Sequence, residues 1–155
     1  IPEPRSTAQR LDMFSVGRMA LACQRGLDHA AHREQYSSLC ETSTVSTKDA
    51  LRWITMETAR MLRIDGHVGS LTPGKQADIV VINATDLNLW PVHDPHATVV
   101  MQANAGNVEH VIISGQFRKR SGNLLRVDVG RIKQDLEASG RRIVKALNMP
   151  SWLNF

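Results

Sequence analysis

The chain has 155 residues, of which 42% are hydrophobic and 22% charged, proportions that are ordinary for a soluble globular protein. This length suffices for one domain with a hydrophobic core, or for parts of two. No run approaches the roughly 18 apolar residues that cross a bilayer, and the opening IPEPRSTAQR lacks the apolar region of a secretory signal.

The net charge of +4 is spread along the sequence, and only RKR at 118–120 forms a compact basic group. No aromatic residues alternate with it, so a solvated strand end is favoured over a nucleic-acid site. Cys23 and Cys40 have neither metal-ligand spacing nor a disulfide pattern, which favours a reducing, cytoplasmic setting. Because the sequence does not begin with Met, we expect a piece of a longer protein.

Two helices are predicted in the first half. Apolar positions at helical spacing predict the first helix from residue 7 to about residue 32. The polar stretch at 33–46 lacks a period and predicts a surface loop. Ser46 and Asp49 then form an S-x-x-D capping pattern, which predicts a second helix that ends near Gly66. Met13, Met19, Met56 and Met61 are expected to fill the core of this helical part.

A different pattern begins at Gly69. Short runs rich in Val and Ile predict strands at 78–82 and 108–113, and residues 116–119 complete a hairpin around a tight turn at Ser114 and Gly115. Pro73 and Gly74 fit the centre of a type II turn. The strand at 79–82 has no polar alternation, so it is expected to be covered on both faces. Residues 97–102 fit one helical turn.

The last predicted element is a helix that Asp128 caps. Its apolar positions fall on one stripe, which predicts docking on an apolar surface. The stripe consists of Val129, Ile132, Leu136, Ile143 and Leu147. The tail PSWLNF is too short to fold alone.

Candidate site residues are few. His29 and His32, three apart near a helix end, are best interpreted as solvated, and His93 and His96 as part of a turn around Asp94 and Pro95. His67 and His110 are interpreted as packing residues. No G-x-S-x-G elbow occurs, and the run from Gly69 to Gln76 lacks the spacing and following helix of a phosphate loop. We therefore predict no catalytic, cofactor-binding or metal-ligating residue in this chain.

Several runs in the right order resemble the amidohydrolase superfamily. STKDALRWITMETARMLRIDGHVGSLTPGKQADIVVI resembles the Thr-containing helix, GSL-x-x-GK-x-AD and apolar strand near the carboxyl terminus of that family. NVEHVIISGQF resembles its later V-x-x-V-x-V-x-G strand. LDMFSVGRMALACQR is similar to the helix after the eighth barrel strand in the aminohydrolase branch, which includes guanine, methylthioadenosine/S-adenosylhomocysteine and triazine deaminases or hydrolases. The stretch around Trp90 and the terminal helix fit that branch, and the likeness spans about 11–147.

The resemblance implies an α+β fold cut from a larger enzyme. Residues 1–67 would be the last helices of a (β/α)₈ barrel, 68–125 the carboxyl-terminal half of a small composite β-sandwich domain, and 126–155 a terminal helix. The family holds one or two divalent metals, zinc or iron, through a His-x-His pair, further histidines and a final aspartate. No His-x-His occurs here, and Asp12 is expected to serve the start of its helix rather than a metal.

The resemblance implies that the whole protein hydrolyses a C–N or similar bond of a cyclic nitrogenous substrate with metal-activated water. Whether this chain counts as an enzyme stays open, since alone it is expected to be inactive. Its expected partners are the missing amino-terminal portion and further copies of itself, through open edges of the strands at 78–82 and 108–113. The alternatives are a non-catalytic interaction module and, more remotely, a small nucleic-acid binder. We expect no membrane partner.

Overall fold

A computed structural model of the protein describes residues 12–38 and 40–149. The chain divides into two compact units, the first ending at Asn123 and the second beginning at Leu124. Along the first unit, helices are followed by one strand, a short helical connection and the remaining strands, and the second unit consists mainly of one helix. Within the described ranges, no helix is both long and apolar enough to pass through a membrane.

The first helix, α1 (Met13–Tyr36), starts at Asp12, whose carboxylate accepts a hydrogen bond from the Ser15 amide at 2.8 Å. Asp12 therefore lies at the start of the helix as expected, and it acts there as the N-cap. The helix runs four residues past the predicted end, so the loop predicted from residue 33 was wrong there. The His32 and Tyr36 rings lie 4.8 Å apart, an i,i+4 contact that supports this last turn. The predicted start at residue 7 lies outside the described residues.

The second helix comprises α2 (Thr47–Arg52), a π-helical segment (Trp53–Glu57) and α3 (Thr58–Met61). The capping box is confirmed, because Ser46 and Asp49 each bind the other's backbone amide through the side chain. The helix ends at Met61 and not near Gly66. Arg63 takes a left-handed conformation (φ 57°), and the Ile64 amide bonds back to the Ala59 carbonyl at 3.0 Å, as in a Schellman motif.

The loop between this helix and the sheet is held by local contacts. Gly74 has a φ of 93°, and the Lys75 amide donates to the Thr72 carbonyl at 3.1 Å, which confirms the type II turn. The Lys75 ammonium group donates to the carbonyl oxygens of Asp65 and Val68. The glycine–lysine motif therefore ties this loop together through backbone carbonyls.

Four strands form one sheet in the order β1-β2-β3-β4, with β1 (Ile79–Ile82), β2 (Val108–Ile113), β3 (Gln116–Arg120) and β4 (Asn123–Leu124). The pairs β1/β2 and β2/β3 are antiparallel. Ser114 and Gly115 both have positive φ, at 50° and 76°, as the two-residue hairpin between β2 and β3 requires. Asp78 holds this turn by accepting the Ser114 amide at 2.7 Å.

Two expectations about the strands were wrong. β2 is paired on both sides, so it has no open edge, whereas the second edge of β1 has no partner among the residues described. β1 is not covered on both faces either, because Val80 is 56% exposed and Val81 37%. An unbroken β-branched run predicts burial, but the described chain supplies too little cover to achieve it.

The core of the first unit lies where α1, α2 and a short helical connection meet. That connection comprises α4 (Pro95–Ala97), a second π-helical segment (Thr98–Gln102) and a 3₁₀ turn (Ala105–Asn107). Leu21, Ala50 and Val100 form the buried cluster. Arg18 joins α1 to the connection, because its guanidinium donates to the carbonyls of Val100 at 3.0 Å and Ala103 at 2.8 Å. The expectation of core methionines was wrong for Met13, Met19 and Met61, which are exposed.

The second unit contains α5 (Val129–Ala146). Asp128 caps it as predicted, since its carboxylate accepts the Arg131 amide at 2.9 Å. The predicted stripe is exposed at all five positions, from 43% at Val129 to 66% at Leu136 and Leu147. Docking of this stripe on an apolar surface stays a prediction. The tail from residue 150 lies outside the described residues.

Candidate functional site

The first unit carries an apolar cleft of about 670 Å³. The amino-terminal turn of α1, the helix from α2 to α3, the following loop and the β1/β2 pair surround it. This volume is in the range of small-molecule pockets. Its apolar lining includes Met13, Phe14, Leu51, Ile54, Leu62, Ile64, Val80, Ile82, Val99 and Val111.

Two glycines bring the walls of this cleft together. A Cβ at Gly17 would lie 3.0 Å from Ile54, so α1 approaches the second helix closely there. A Cβ at Gly69 would lie 2.8 Å from the Cβ of Ala59, and Gly69 also has a φ of 90°. The absence of a side chain at Gly69 lets the loop pass close to Ala59, and the absence of one at Gly17 lets α1 approach Ile54.

The polar groups of the cleft are already occupied by the fold. The Thr58 hydroxyl donates to the Trp53 carbonyl at 2.6 Å, and the Thr55 hydroxyl to that of Leu51 at 2.8 Å. Asp78 is bonded to the hairpin turn. Because these hydroxyl groups and the Asp78 carboxylate bond to the backbone, the cleft offers mainly an apolar contact surface among the described residues.

The histidines singled out in the sequence are dispersed. His29 and His32 are both half-buried on α1, and the His32 Nδ1 lies 3.1 Å from the Ser38 carbonyl. His96 Nδ1 lies 3.4 Å from Asp94, which caps the turn as expected. The amide of Ala97 is the main reason that the pKa of Asp94 lies below its ordinary value.

His67 is exposed, and His110 lies half-buried in β2. Within 12–38 and 40–149, no three His, Cys, Asp or Glu side chains come close enough together to hold a metal ion. The described residues therefore do not fit the metal centre that the sequence resemblance implies for the whole enzyme. No catalytic step is assigned to this chain.

A polar cluster around Asn107 was missed by the sequence analysis. Asn107 is 5% exposed, and its side-chain amide donates to Asp86 at 2.7 Å and Asn88 at 2.9 Å, while its oxygen accepts the Asn104 amide. Asn104 and Asn107 form a reciprocal capping pair three residues apart, and that N-x-x-N spacing was the available signal. Because these hydrogen bonds link Asn107 to residues before it in the chain, the cluster holds the segment that leads into β2 in place.

A family model and individual related proteins both match this chain and point to the same family. The family model described as "Amidohydrolase family" matches residues 8–118, more than half of the chain. A 5-methylthioadenosine/S-adenosylhomocysteine deaminase from Acetivibrio thermocellus is 27% identical over 105 residues, which cover 68% of this chain and 24% of that protein. The corresponding deaminase 1 from Syntrophus aciditrophicus is 27% identical over 124 residues, covering 80% and 28%.

Solved structures match in the same way. An adenosine deaminase from Xanthomonas campestris with bound zinc has a TM-score of 0.76 at 25% identity, over 87% of this chain and 28% of that one. Atrazine chlorohydrolase from Arthrobacter aurescens, complexed with zinc, has a TM-score of 0.65 at 23% identity and shares the fold over 81% and 25%. The chain thus spans about a quarter of the length of these relatives.

Proposed function

The chain belongs to the amidohydrolase family, and we propose that it is the carboxyl-terminal part of a metal-dependent hydrolase that cleaves a C–N bond of a cyclic nitrogenous substrate. One observation carries the proposal: the family model matches residues 8–118, and the related deaminase is matched over only 24% of its own length. The mixed helix and sheet fold agrees with that of zinc-containing neighbours. The helices before residue 68 would close the barrel, and the strands would form half of the small composite domain.

The substrate class rests on the relatives. Proteins named as deaminases of 5-methylthioadenosine and S-adenosylhomocysteine favour an aminopurine, and the structural neighbours add adenosine and a triazine. A purine, pyrimidine or triazine ring is the class that we propose for the whole protein. A divalent metal, zinc or iron, would supply a water of lowered pKa, and its ligands would come from outside the described residues.

The whole protein tests this directly. The intact coding sequence should encode a His-x-His pair upstream of Ile1, and its product should release ammonia from 5-methylthioadenosine, S-adenosylhomocysteine or an aminotriazine. The isolated 155-residue chain should release none. A full-length product that carries the ligands but hydrolyses no member of these substrate classes would refute the proposed activity.

We further propose that the upstream portion covers the apolar cleft and the open edge of β1. Val80 is 56% exposed although it lines the cleft, and the edge beside it presents unpaired backbone groups in the described chain. Burying one such valine contributes roughly 1.5–3 kcal/mol, and an unpaired strand edge favours addition of another strand. In the absence of the upstream portion, the same surface should make the chain self-associate.

A pair of variants separates docking from folding. Val80→Asp places a charge in the cleft at a position that is 56% exposed. Leu87→Asp introduces the same charge at a residue that is 93% exposed and outside the cleft lining. When the upstream portion is expressed separately, Val80→Asp should weaken its binding to this chain at least about tenfold. Leu87→Asp should leave binding unchanged. Equal binding by both variants, or a strictly monomeric wild-type chain in light scattering, would contradict the docking proposal.

The second candidate is a non-catalytic interaction module that retains the fold. The exposed, mainly apolar cleft and the β1 edge favour it, because they offer a contact surface. A start codon immediately before Ile1, with no upstream metal-ligand sequence in frame, would support the module over the enzyme. We keep a cytoplasmic location as a proposal, because Cys23 and Cys40 are free thiols.

A further inference from the structure

The imidazole of His110 accepts a backbone hydrogen bond at the turn that follows β3. The Ser121 amide donates to His110 Nδ1 at 3.0 Å. A backbone N–H group can only donate, so Nδ1 must carry no proton in this arrangement. Protonation of Nδ1 would bring two donors face to face, and the hydrogen bond would be lost.

That bond is one of two that hold the turn to β2. Ser121 and Gly122 both have left-handed conformations, with φ of 46° and 79°, and the Gly122 amide donates to the Glu109 carbonyl at 3.0 Å. The acceptors, Glu109 and His110, are adjacent in β2. Loss of the imidazole acceptor therefore leaves the turn attached by a single backbone bond.

The neighbouring strand β3 carries basic residues and the aromatic ring that contacts His110. The charged residues of β3 are all basic, Arg118, Lys119 and Arg120. The Arg120 guanidinium lies 5.3 Å from the centre of the Phe117 ring, and that ring meets His110 edge-on at 5.8 Å.

Among the described residues of the sheet, the other positions next to His110 place no carboxylate beside its ring. On β1 the residue opposite His110 is Val81. Glu109 precedes His110 in the same strand, where successive side chains alternate between faces, so its carboxylate is directed away from the ring. β4 contributes Asn123 and Leu124 and no charge.

We propose that His110 is a proton-sensitive latch. The neutral imidazole holds residues 121 and 122 against β2, and protonation releases them. The proposal does not depend on the proposed hydrolase activity.

Amide exchange of the full chain, measured by NMR and normalised to intrinsic rates, tests the latch. Protection of the Ser121 amide should fall about fivefold between about pH 7.5 and about pH 5, which corresponds to one ordinary hydrogen bond. His110→Asn keeps an acceptor that does not titrate, so its Ser121 protection should be constant. The Asn83 amide, bonded to the Asn107 carbonyl at 2.8 Å, is the control and should not respond.

Two results would overturn the proposal. One is equal Ser121 protection at both pH values in the wild-type chain. The other is the same acid-dependent loss in His110→Asn, which would assign the effect to another group. If His110→Asn does not fold, the wild-type chain alone still gives the test. Its Ser121 amide resonance should then shift with pH together with the His110 imidazole signals.

Discussion

Gly69 lies in the loop before β1, and the structure predicts a large loss of stability when it is replaced by alanine. Alanine at this position must adopt a φ of 90°, a conformation that costs a non-glycine residue about 1–2 kcal/mol. Its Cβ would also lie 2.8 Å from the Cβ of Ala59, and overpacking at a buried contact costs about 1–3 kcal/mol. We therefore expect Gly69→Ala to lower the free energy of unfolding by about 2–5 kcal/mol.

Gly74→Ala separates the two contributions, because Gly74 has a φ of 93° and no atom lies within 4 Å of the point that an added Cβ would occupy. It should cost only the conformational part, about 1–2 kcal/mol. Urea unfolding followed by circular dichroism compares the two variants, and Ala59→Gly in the Gly69→Ala background should restore part of the difference. If Gly69→Ala is no more destabilising than Gly74→Ala, the close approach of loop and helix is wrong.

Two further predictions concern contacts of α1. Arg18→Ala should lower the free energy of unfolding by about 2–4 kcal/mol, because the carbonyls of Val100 and Ala103 lose a charged donor. Arg18→Lys should retain part of this stabilisation. An unchanged urea midpoint in Arg18→Ala would refute the contribution of these two hydrogen bonds. The Thr44 hydroxyl is the largest cause that lowers the pKa of Asp28 from 3.8 to about 2, with Gln24 next. Since the folded pKa is depressed, this stabilisation is present above pH 4 or so and lost as the pH falls towards about 2. Between about pH 4 and about pH 2, the free energy of unfolding of Asp28→Asn should depend less on pH than that of the wild-type chain. An identical pH dependence in both proteins would contradict this role of Asp28.

Local signals in the sequence predicted the elements that depend on neighbouring residues. The Ser46 and Asp49 capping box, the turn at Ser114 and Gly115 and the bounds of β2 follow from side chains within a few residues of each other. The end of α1 was misplaced because Arg33 to Tyr36 look polar, whereas the helix needs only one supporting contact, between His32 and Tyr36, to continue.

Contacts between distant residues could not be predicted in this way. Arg18 binds carbonyls 82 and 85 residues away, and neither partner has a side-chain signature in the sequence. The exposure of Val80 depends on which segments are present to cover it, a property of the whole assembly rather than of the strand. Gly17 and Gly69 allow close approaches to Ile54 and Ala59, and a glycine in the sequence does not reveal which neighbour approaches it.

Metal content is the most direct measure of the claim that the chemistry lies outside this chain. After dialysis, elemental analysis of the full-length protein should give at least one zinc or iron per molecule, together with ammonia release from an aminopurine. The 155-residue chain, treated in the same way, should carry no stoichiometric metal. Tight one-to-one metal binding by this chain alone would contradict the account.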